Sequence, residues 1–154
     1  MTELRPFAPE DFDAAMAIER ELFPRDAWSP DVLRSELARV GESREYWVAV
    51  DGDEVVGYCG LYYLPPDSDV QTIAVKASHQ RQGVGSRMLR AMIDSAVAKG
   101  CKHMMLEVAV ENAGAMAMYE RFGFRALGVR HNYYGPGLDC VVMQCADLSE
   151  ARNG

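Results

Sequence analysis

The sequence predicts a mixed α/β fold in which a central sheet carries helices on both faces. An amphipathic helix over residues 84–99 lies between two apolar strands, residues 70–76 and 103–110. A helical crossover of this length makes the two strands parallel neighbours with a right-handed connection. Two turn motifs, Asp51-Gly52 and Gly135-Pro136-Gly137, each separate a pair of β-type segments and favour antiparallel hairpins. The sheet is therefore predicted to contain both parallel and antiparallel pairs.

The size and charge of the chain fit one globular domain. It has 154 residues, of which 49% are hydrophobic and 25% are charged, and a chain of this length can bury a substantial core. We expect a single domain over residues 1–147 and a frayed tail over residues 148–154. The formal net charge of -7 argues against a non-specific nucleic-acid binder and favours a basic or amine-bearing partner.

Targeting and metal-binding signals are missing from the sequence. No basic region followed by an apolar core opens the chain, and no apolar run approaches the ~20 residues that span a bilayer. The histidines show no metal-ligand spacing, so we expect no metal site. We therefore expect a cytoplasmic protein with no membrane contact and with reduced, buried thiols at Cys59, Cys101, Cys140 and Cys145.

Cap and turn residues divide the first half of the chain. Proline in the first turn, with acidic residues beside it, favours the start of a helix. Pro9 and Ser29-Pro30-Asp31 mark two such starts, and Phe23-Pro24 ends the first helix. The predicted elements are a strand over residues 3–7, helices over residues 9–22 and 30–39, and strands over residues 46–50 and 55–64.

Glycines and one asparagine divide the second half. Apolar residues repeat at helical spacing from Val84 until Gly100 ends the helix. Asn112 is predicted to cap the next helix, and Gly123 is predicted to end it. The remaining elements are a helix over residues 113–122 and strands over residues 124–132 and 139–145.

The loop before residue 84 carries a signal for an anionic ligand. Gly83 and Gly85 lie where the loop becomes a helix, with Arg81 and Arg87 beside them. The free N–H groups and positive dipole end of a helix N-terminus can hold a pyrophosphate. A dinucleotide fingerprint would need glycine where Met88 stands, and a Walker loop would need lysine directly after Gly85. Neither of these two patterns fits.

The hexad Gln80-Arg81-Gln82-Gly83-Val84-Gly85 resembles the coenzyme A pyrophosphate loop of the GCN5-related N-acetyltransferases (GNAT). The order of predicted elements is similar to that family over nearly the whole chain. The resemblance implies the GNAT fold, with a mostly antiparallel sheet, two splayed parallel central strands and about four helices. It also implies acetyl-CoA as the cofactor.

Further motifs resemble one subgroup, the ribosomal-protein alanine N-acetyltransferases (RimI type). They are Leu106-Glu107-Val108 with Asn112, Ala117-Met118-Tyr119-Glu120 with Gly123-Phe124, Asn132-Tyr133-Tyr134, and Phe23-Pro24 with Trp28-Ser29. By this resemblance, Glu107 is the general base and Tyr119 the general acid. The implied cofactor contacts are Ile73, Ala74 and Val75 on the thioester arm, Arg81, Gln82, Gly83, Val84, Gly85 and Ser86 on the pyrophosphate, and Asn112.

The chemistry of the two candidate catalytic side chains is consistent with these roles. Glu107 interrupts an apolar strand, and because burying an unpaired charge is costly, it should face a polar cleft or an ion-pair partner such as Lys102 or Arg125. A carboxylate in a cleft can take a proton from an attacking amine. A tyrosine phenol can protonate a departing thiolate. Without the family pattern, the favoured interpretation of Tyr119 is an aromatic packed at a helix end.

The expected reaction is transfer of acetyl from acetyl-CoA to the N-terminal amine of a protein, with a ribosomal protein bearing N-terminal alanine as the expected substrate. The amine would attack the thioester directly, and the Val75 N–H would stabilise the oxyanion. Trp28, Tyr133 and Tyr134 are candidates to line a peptide groove or to pack in the core. The alternatives are acetylation of a small amine or an internal lysine, and a non-catalytic acyl-CoA-binding module.

Overall fold

Strands and helices alternate along the chain in the predicted order. A computed structural model of the chain describes residues 2–131 and 139–151. Within these ranges the strands are β1 (Thr2–Pro6), β2 (Arg44–Asp51), β3 (Glu54–Leu64), β4 (Asp67–Val75), β5 (Met104–Ala109), β6 (Arg125–Arg130) and β7 (Cys140–Cys145). The helices are α1 (Phe12–Leu22), α2 (Pro30–Leu37), α3 (Val84–Ala98) and α4 (Ala113–Phe122), with short 3-10 helices at Pro9–Asp11, Ala77–His79 and Leu148–Glu150.

The strands form one mixed sheet in the order β1-β2-β3-β4-β5-β7-β6. β4 and β5 pair in parallel, with Asp69 opposite Met105. The pairs β1–β2, β2–β3, β5–β7 and β6–β7 are antiparallel. The predicted mixed α/β fold is therefore confirmed. The turn predicted at Gly135-Pro136-Gly137 lies outside the described residues.

Contacts between Cα atoms divide the chain into two compact units. The first contains the residues up to Tyr62 together with Gln71–Met92, and so holds β1, α1, α2 and β2. The second contains Tyr63–Val70 and the chain from Ile93 onward, and so holds β5, α4, β6 and β7. β3, β4 and α3 are continuous elements with residues in both units.

The core of the first unit is built around two buried tyrosines. Tyr46 and Tyr58 are 2% and 0% exposed, and the Phe7 ring meets both of them edge-on. The ring of Tyr46 lies against the backbone of Gly60, where an added Cβ would lie 2.2 Å from a ring carbon, so a side chain cannot be accommodated there. The core cluster comprises Ala15, Met16, Ile18, Leu33, Tyr46, Val48, Tyr58 and Ala74.

In the second unit, β5 alternates between a buried face and a partly exposed face. Met104, Leu106 and Val108 are at most 5% exposed, while the residues between them are half-buried. Because side chains on a strand point alternately to opposite faces, this pattern leaves Glu107 on the face that is not in the core. The predicted outward direction of Glu107 is confirmed.

The predicted helix caps are confirmed in detail. The Ser29 hydroxyl accepts a hydrogen bond from the Val32 amide at 3.2 Å, and the Asn112 side chain accepts one from the Ala115 amide at 3.1 Å. Gly123 ends α4 with a φ of 106°, a left-handed conformation that glycine adopts without strain. These caps act within one helical turn, which is why the local sequence predicts them.

Long-range contacts move one strand boundary. The sequence predicts the central strand from residue 70, but β4 begins at Asp67. The amide of Lys102 donates to the Pro66 carbonyl at 2.7 Å, and the Ser68 hydroxyl donates to the His103 carbonyl at 2.7 Å. These partners lie more than thirty residues away, so the earlier start comes from tertiary hydrogen bonding.

The prediction of a frayed tail is wrong for residues 148–150. Leu148–Glu150 form a 3-10 turn that the Asp147 side chain caps by accepting from the Ser149 amide. Leu148 is 3% exposed, and its amide donates to the Lys102 carbonyl at 2.9 Å. Burial of this leucine contributes about 2 kcal/mol, which offsets the entropy of ordering the turn.

The predicted burial of the thiols is confirmed, since Cys59, Cys101, Cys140 and Cys145 are all free and buried. Among the described residues, no helix combines the length and hydropathy of a bilayer span.

Candidate active site

The loop between β4 and α3 has the backbone conformation of an anion cradle. Arg81 and Gly83 have φ angles of 63° and 82°, both in the left-handed region. The backbone amide of Arg87 donates to the Gly83 carbonyl at 3.0 Å, so the amides of the preceding helical turn have no acceptor within the helix. Alternating left-handed residues at a helix start turn successive N–H groups toward one concave surface. This geometry fits the diphosphate of a nucleotide cofactor.

Charge beside the cradle comes from Arg81. Its side chain is exposed at the loop. Arg87, the second arginine that the sequence places here, donates to the backbone carbonyl of Thr2. The structure thus gives Arg87 an anchoring contact with β1, and Arg81 is the better placed of the two for a phosphate.

The segment before the cradle is held by four contacts within the first unit. Gln80 donates through Nε2 to the Val75 carbonyl at 2.9 Å. His79 Nε2 lies 2.9 Å from Asp51 Oδ2, and Lys76 Nζ lies 2.8 Å from Glu54 Oε2. The Ala77 amide donates to Glu21 Oε2 at 3.1 Å. The cradle is therefore positioned before any ligand binds, which reduces the entropy lost on binding.

The end of β4 presents backbone groups in alternating directions. The Ala74 carbonyl lies so close to β3 that a Cβ built on Gly57 would be 2.9 Å from it. The Lys76 amide donates to the Val56 carbonyl of β3 at 2.8 Å. Since successive backbone groups on a strand point to opposite sides, the amides of Ile73 and Val75 point away from β3. That direction fits the predicted pairing with an extended cofactor arm.

Glu107 lies on β5 and forms an ion pair with Arg130. Glu107 Oε1 is 3.3 Å from Arg130 Nη1, and the two side chains are 29% and 56% exposed. In the strand registers Glu107 lies opposite Val142, and Arg130 lies opposite Cys140. Arg130 therefore reaches across β7. The ion-pair partners predicted for Glu107, Lys102 and Arg125, are wrong. Val142, opposite Glu107, pairs with Gly128, two residues from Arg130, whereas Arg125 pairs with Gln144 further along β7. Sequence spacing does not reveal this register.

A second carboxylate, Asp69, lies on the neighbouring strand and was missed by the sequence reasoning. Asp69 is opposite Met105, and Glu107 follows two residues later on the same face. Desolvation, and then the negative charge of Glu107, raise the pKa of Asp69 above its ordinary value. The available signal was an acidic residue directly before the predicted central strand.

Tyr119 lies on α4 and Asn112 directly precedes that helix, in the same unit as Glu107. Asn112 is exposed at the helix N-terminus and acts as its cap. Tyr119 is 4% exposed, and its ring centroid lies 5.9 Å from that of Phe124. The predicted helical placement of both residues is confirmed. Their catalytic and cofactor-binding roles stay predictions.

Trp28 is the candidate acceptor-binding residue that the structure describes. Its side chain is half-buried and packs against the core cluster of the first unit. Its amide donates to Glu19 Oε2 at 2.9 Å. Glu19 was also missed by the sequence reasoning. The available signal was an acidic residue on the apolar stripe of a predicted helix. The other two candidates, Tyr133 and Tyr134, lie outside the described residues.

Comparisons with known proteins agree with this architecture. The acetyltransferase (GNAT) family model matches residues 10–124. The chain is 35% identical to the N-alpha-acetyltransferase RimI of Mycobacterium tuberculosis, over 87% of this chain and 85% of that protein. The crystal structure of the ribosomal-protein-S18-alanine N-acetyltransferase from Escherichia coli aligns with a TM-score of 0.82 at 28% identity, covering 94% of this chain and 92% of that one.

A more distant structure has the same fold. Arabidopsis thaliana NAA60, solved in complex with acetyl-CoA, aligns with a TM-score of 0.82 at 18% identity, covering 94% of this chain and 97% of that one. The resemblance based on the glycine hexad and the order of elements is confirmed by the family match. The chain belongs to the GNAT acetyltransferase family.

Proposed function

We propose that this protein is an N-alpha-acetyltransferase that transfers acetyl from acetyl-CoA to the N-terminal amine of a protein. The observation that carries the proposal is Glu107, a partly exposed carboxylate held by Arg130 in an otherwise apolar strand. A pure acyl-CoA-binding module has no need of such a group. The proposed acceptor is a ribosomal protein with N-terminal alanine, in keeping with the names of the aligned relatives, and such an acceptor would place the enzyme in the cytoplasm.

Acetyl-CoA supplies the thioester carbonyl that the amine attacks. The proposed cradle for its diphosphate is the backbone of Arg81, Gln82, Gly83, Val84, Gly85 and Ser86. Ile73, Ala74 and Val75 would hold the extended arm, and the outward amide of Val75 would donate to the oxyanion. Asn112 is proposed to contact the cofactor in addition to capping α4.

Two side chains of the second unit would move the protons. Glu107, directly or through a water, would accept a proton from the attacking amine, a step typically worth ~10²–10⁴-fold. Tyr119 would donate a proton to the departing sulfur, whose conjugate acid has a pKa of about 8.5. For the acceptor, we propose that Trp28, Tyr133 and Tyr134 line the peptide-binding surface.

An α-amine fits this machinery better than a lysine. An N-terminal amine has a pKa of about 8, so roughly a tenth of it is neutral at pH 7, whereas lysine has a pKa of about 10.4. At neutral pH the neutral, nucleophilic fraction of an α-amine is therefore far larger than that of a lysine amine. The net charge of -7 also favours a basic peptide.

The test is acetyl transfer to matched short peptides. One set differs only in its first residue and contains alanine, serine and methionine peptides; the second set has a blocked N-terminus and an internal lysine; polyamines form the third set. We expect transfer to the free N-terminal amine, highest with alanine, and mass spectrometry locates the acetyl group. Faster transfer to blocked lysine peptides or polyamines would contradict the proposal. Cofactor binding with no transfer to any amine would favour the binding module.

A further inference from the structure

Glu19 is a buried carboxylate in the core of the first unit. It lies in the last two turns of α1 and is 2% exposed. Its Oε1 accepts a hydrogen bond from the Tyr58 hydroxyl, and its Oε2 accepts one from the Trp28 amide at 2.9 Å. Each carboxyl oxygen therefore has a donor. An apolar side chain would fill this position at lower desolvation cost, so the two hydrogen bonds are the feature to explain.

Tyr58 fixes one oxygen of this carboxylate. Burial, and then the charge of Glu19, raise the pKa of Tyr58 far above its ordinary value, so the phenol stays protonated and donates. Tyr58 lies on β3, where it pairs in register with Val48 of β2. One oxygen of Glu19 is thus held by a residue of β3.

The other oxygen holds the segment between α1 and α2. That segment, residues 23–29, contains a local bond from the Asp26 amide to the Phe23 carbonyl at 3.3 Å. The bond from Trp28 to Glu19 joins residues nine apart and attaches the far end of the segment to α1. Because the Trp28 amide is fixed, the half-buried Trp28 ring is held against the core with its remaining surface exposed.

We propose that Glu19 is a positioning residue for the acceptor: it holds Trp28 in the orientation that contacts the incoming peptide. This inference rests on the proposed function, in which Trp28 lines the peptide-binding surface. The carboxylate acts as a paired hydrogen-bond acceptor and takes no part in proton transfer.

The test compares an isosteric apolar substitution with a conservative one. Glu19→Met removes both acceptor oxygens, whereas Glu19→Gln keeps one oxygen for the Trp28 amide and can donate to the Tyr58 oxygen. We expect Glu19→Met to raise the KM for an alanine peptide about tenfold, equivalent to about 1.4 kcal/mol, with the KM for acetyl-CoA and kcat changed less than about twofold. Glu19→Gln should restore most of the acceptor KM.

The matched control is Asp13→Met, which replaces an exposed carboxylate on the same helix and should leave the acceptor KM unchanged. If Glu19→Met does not fold, the double variant Glu19→Met, Tyr58→Phe takes its place in the test. The two substitutions replace both partners of the Glu19–Tyr58 hydrogen bond with apolar groups, so no tyrosine hydroxyl is left buried without a partner. Combining Glu19→Met with Trp28→Ala should give the acceptor KM of Trp28→Ala alone, because both changes remove the same contact.

A second readout does not depend on activity. In a Trp47→Phe background Trp28 is the remaining tryptophan, and its fluorescence emission should shift to the red in Glu19→Met but not in Glu19→Gln. An unchanged acceptor KM in a folded Glu19→Met variant, or additive effects with Trp28→Ala, would overturn the positioning role alone. Absence of N-terminal transfer by the unmutated chain would instead overturn the proposed function.

Discussion

Arg130 Nη1 lies 3.3 Å from Glu107 Oε1, although the strands that carry these residues are separated by β7. The arginine side chain spans a neighbouring strand to reach the carboxylate. Both side chains are partly exposed, at 56% and 29%, and ion pairs of this kind contribute only about 0–1 kcal/mol to stability. The contact therefore matters more for the orientation of Glu107 than for the fold.

Glu107→Gln should lower kcat by about 10²–10⁴-fold while leaving acetyl-CoA affinity nearly intact. The amide keeps the size of the side chain but cannot accept a proton from the amine. Steady-state kinetics with an alanine peptide, together with calorimetric titration of coenzyme A, measure the two effects. Glu120→Gln, at an exposed position on α4, is the control. Equal turnover in both variants would remove Glu107 from the base role.

Arg130→Gln should lower kcat several-fold and change the free energy of unfolding by less than about 1 kcal/mol. The variant frees the Glu107 carboxylate to adopt other rotamers, which reduces the fraction in position for proton transfer. Steady-state kinetics measure the change in kcat, and urea unfolding of the same preparation measures the change in the free energy of unfolding. A loss of stability with unchanged kcat would show that the ion pair serves the fold instead.

Tyr119→Phe should lower kcat with a stability change of only about 1 kcal/mol. Phenylalanine preserves the ring contact with Phe124, so packing is retained while the proton donor is lost. Thermal unfolding and turnover measure the two quantities. Turnover equal to that of the unmutated protein would assign Tyr119 to packing.

Gly83→Ala should raise the KM for acetyl-CoA. Gly83 has a φ of 82°, and an added Cβ would meet nothing within 4 Å, so the cost is backbone strain of roughly 1–2 kcal/mol. Relaxation of that strain would turn the loop amides away from the diphosphate. Gly41→Ala is a matched control, since Gly41 has a φ of 90° and equally open surroundings but lies outside the cradle. A similar KM effect in both would mean that strain alone is responsible.

Stability should fall in acid through Asp11. Arg5 donates to both oxygens of this buried carboxylate, at 2.7 Å and 2.9 Å, and holds its pKa below the ordinary value. In the unfolded state the Asp11 carboxyl has a pKa of about 3.9, so on acidification it binds a proton before the folded-state carboxyl does. The stabilisation from Asp11 is therefore present above that pH and is lost as the pH falls through the pKa of Asp11 in the folded state. Urea unfolding between pH 5 and pH 2 should show a weaker pH dependence in Asp11→Asn. An identical slope in both proteins would contradict this.

The helix ends, the two central strands and the glycine cradle were predictable from the sequence because each depends on nearby residues. Ser29 and Asn112 cap helices whose first turn they immediately precede, and the left-handed residues of the cradle lie directly before α3. The cost of burying an unpaired charge likewise predicted that Glu107 would face away from the core.

The tertiary structure decided the contacts that join distant segments. Arg130 pairs with Glu107 because the registers of β5, β7 and β6 bring it near that carboxylate. Leu148 is buried in a turn whose amide binds the Lys102 carbonyl, and the Trp28 amide is anchored by the buried Glu19. Each of these contacts depends on strand pairing or on packing between residues far apart in the chain, and a local sequence pattern encodes neither. The local sequence thus determined the cofactor cradle, and the folded chain determined what surrounds the proposed base and holds the proposed acceptor surface.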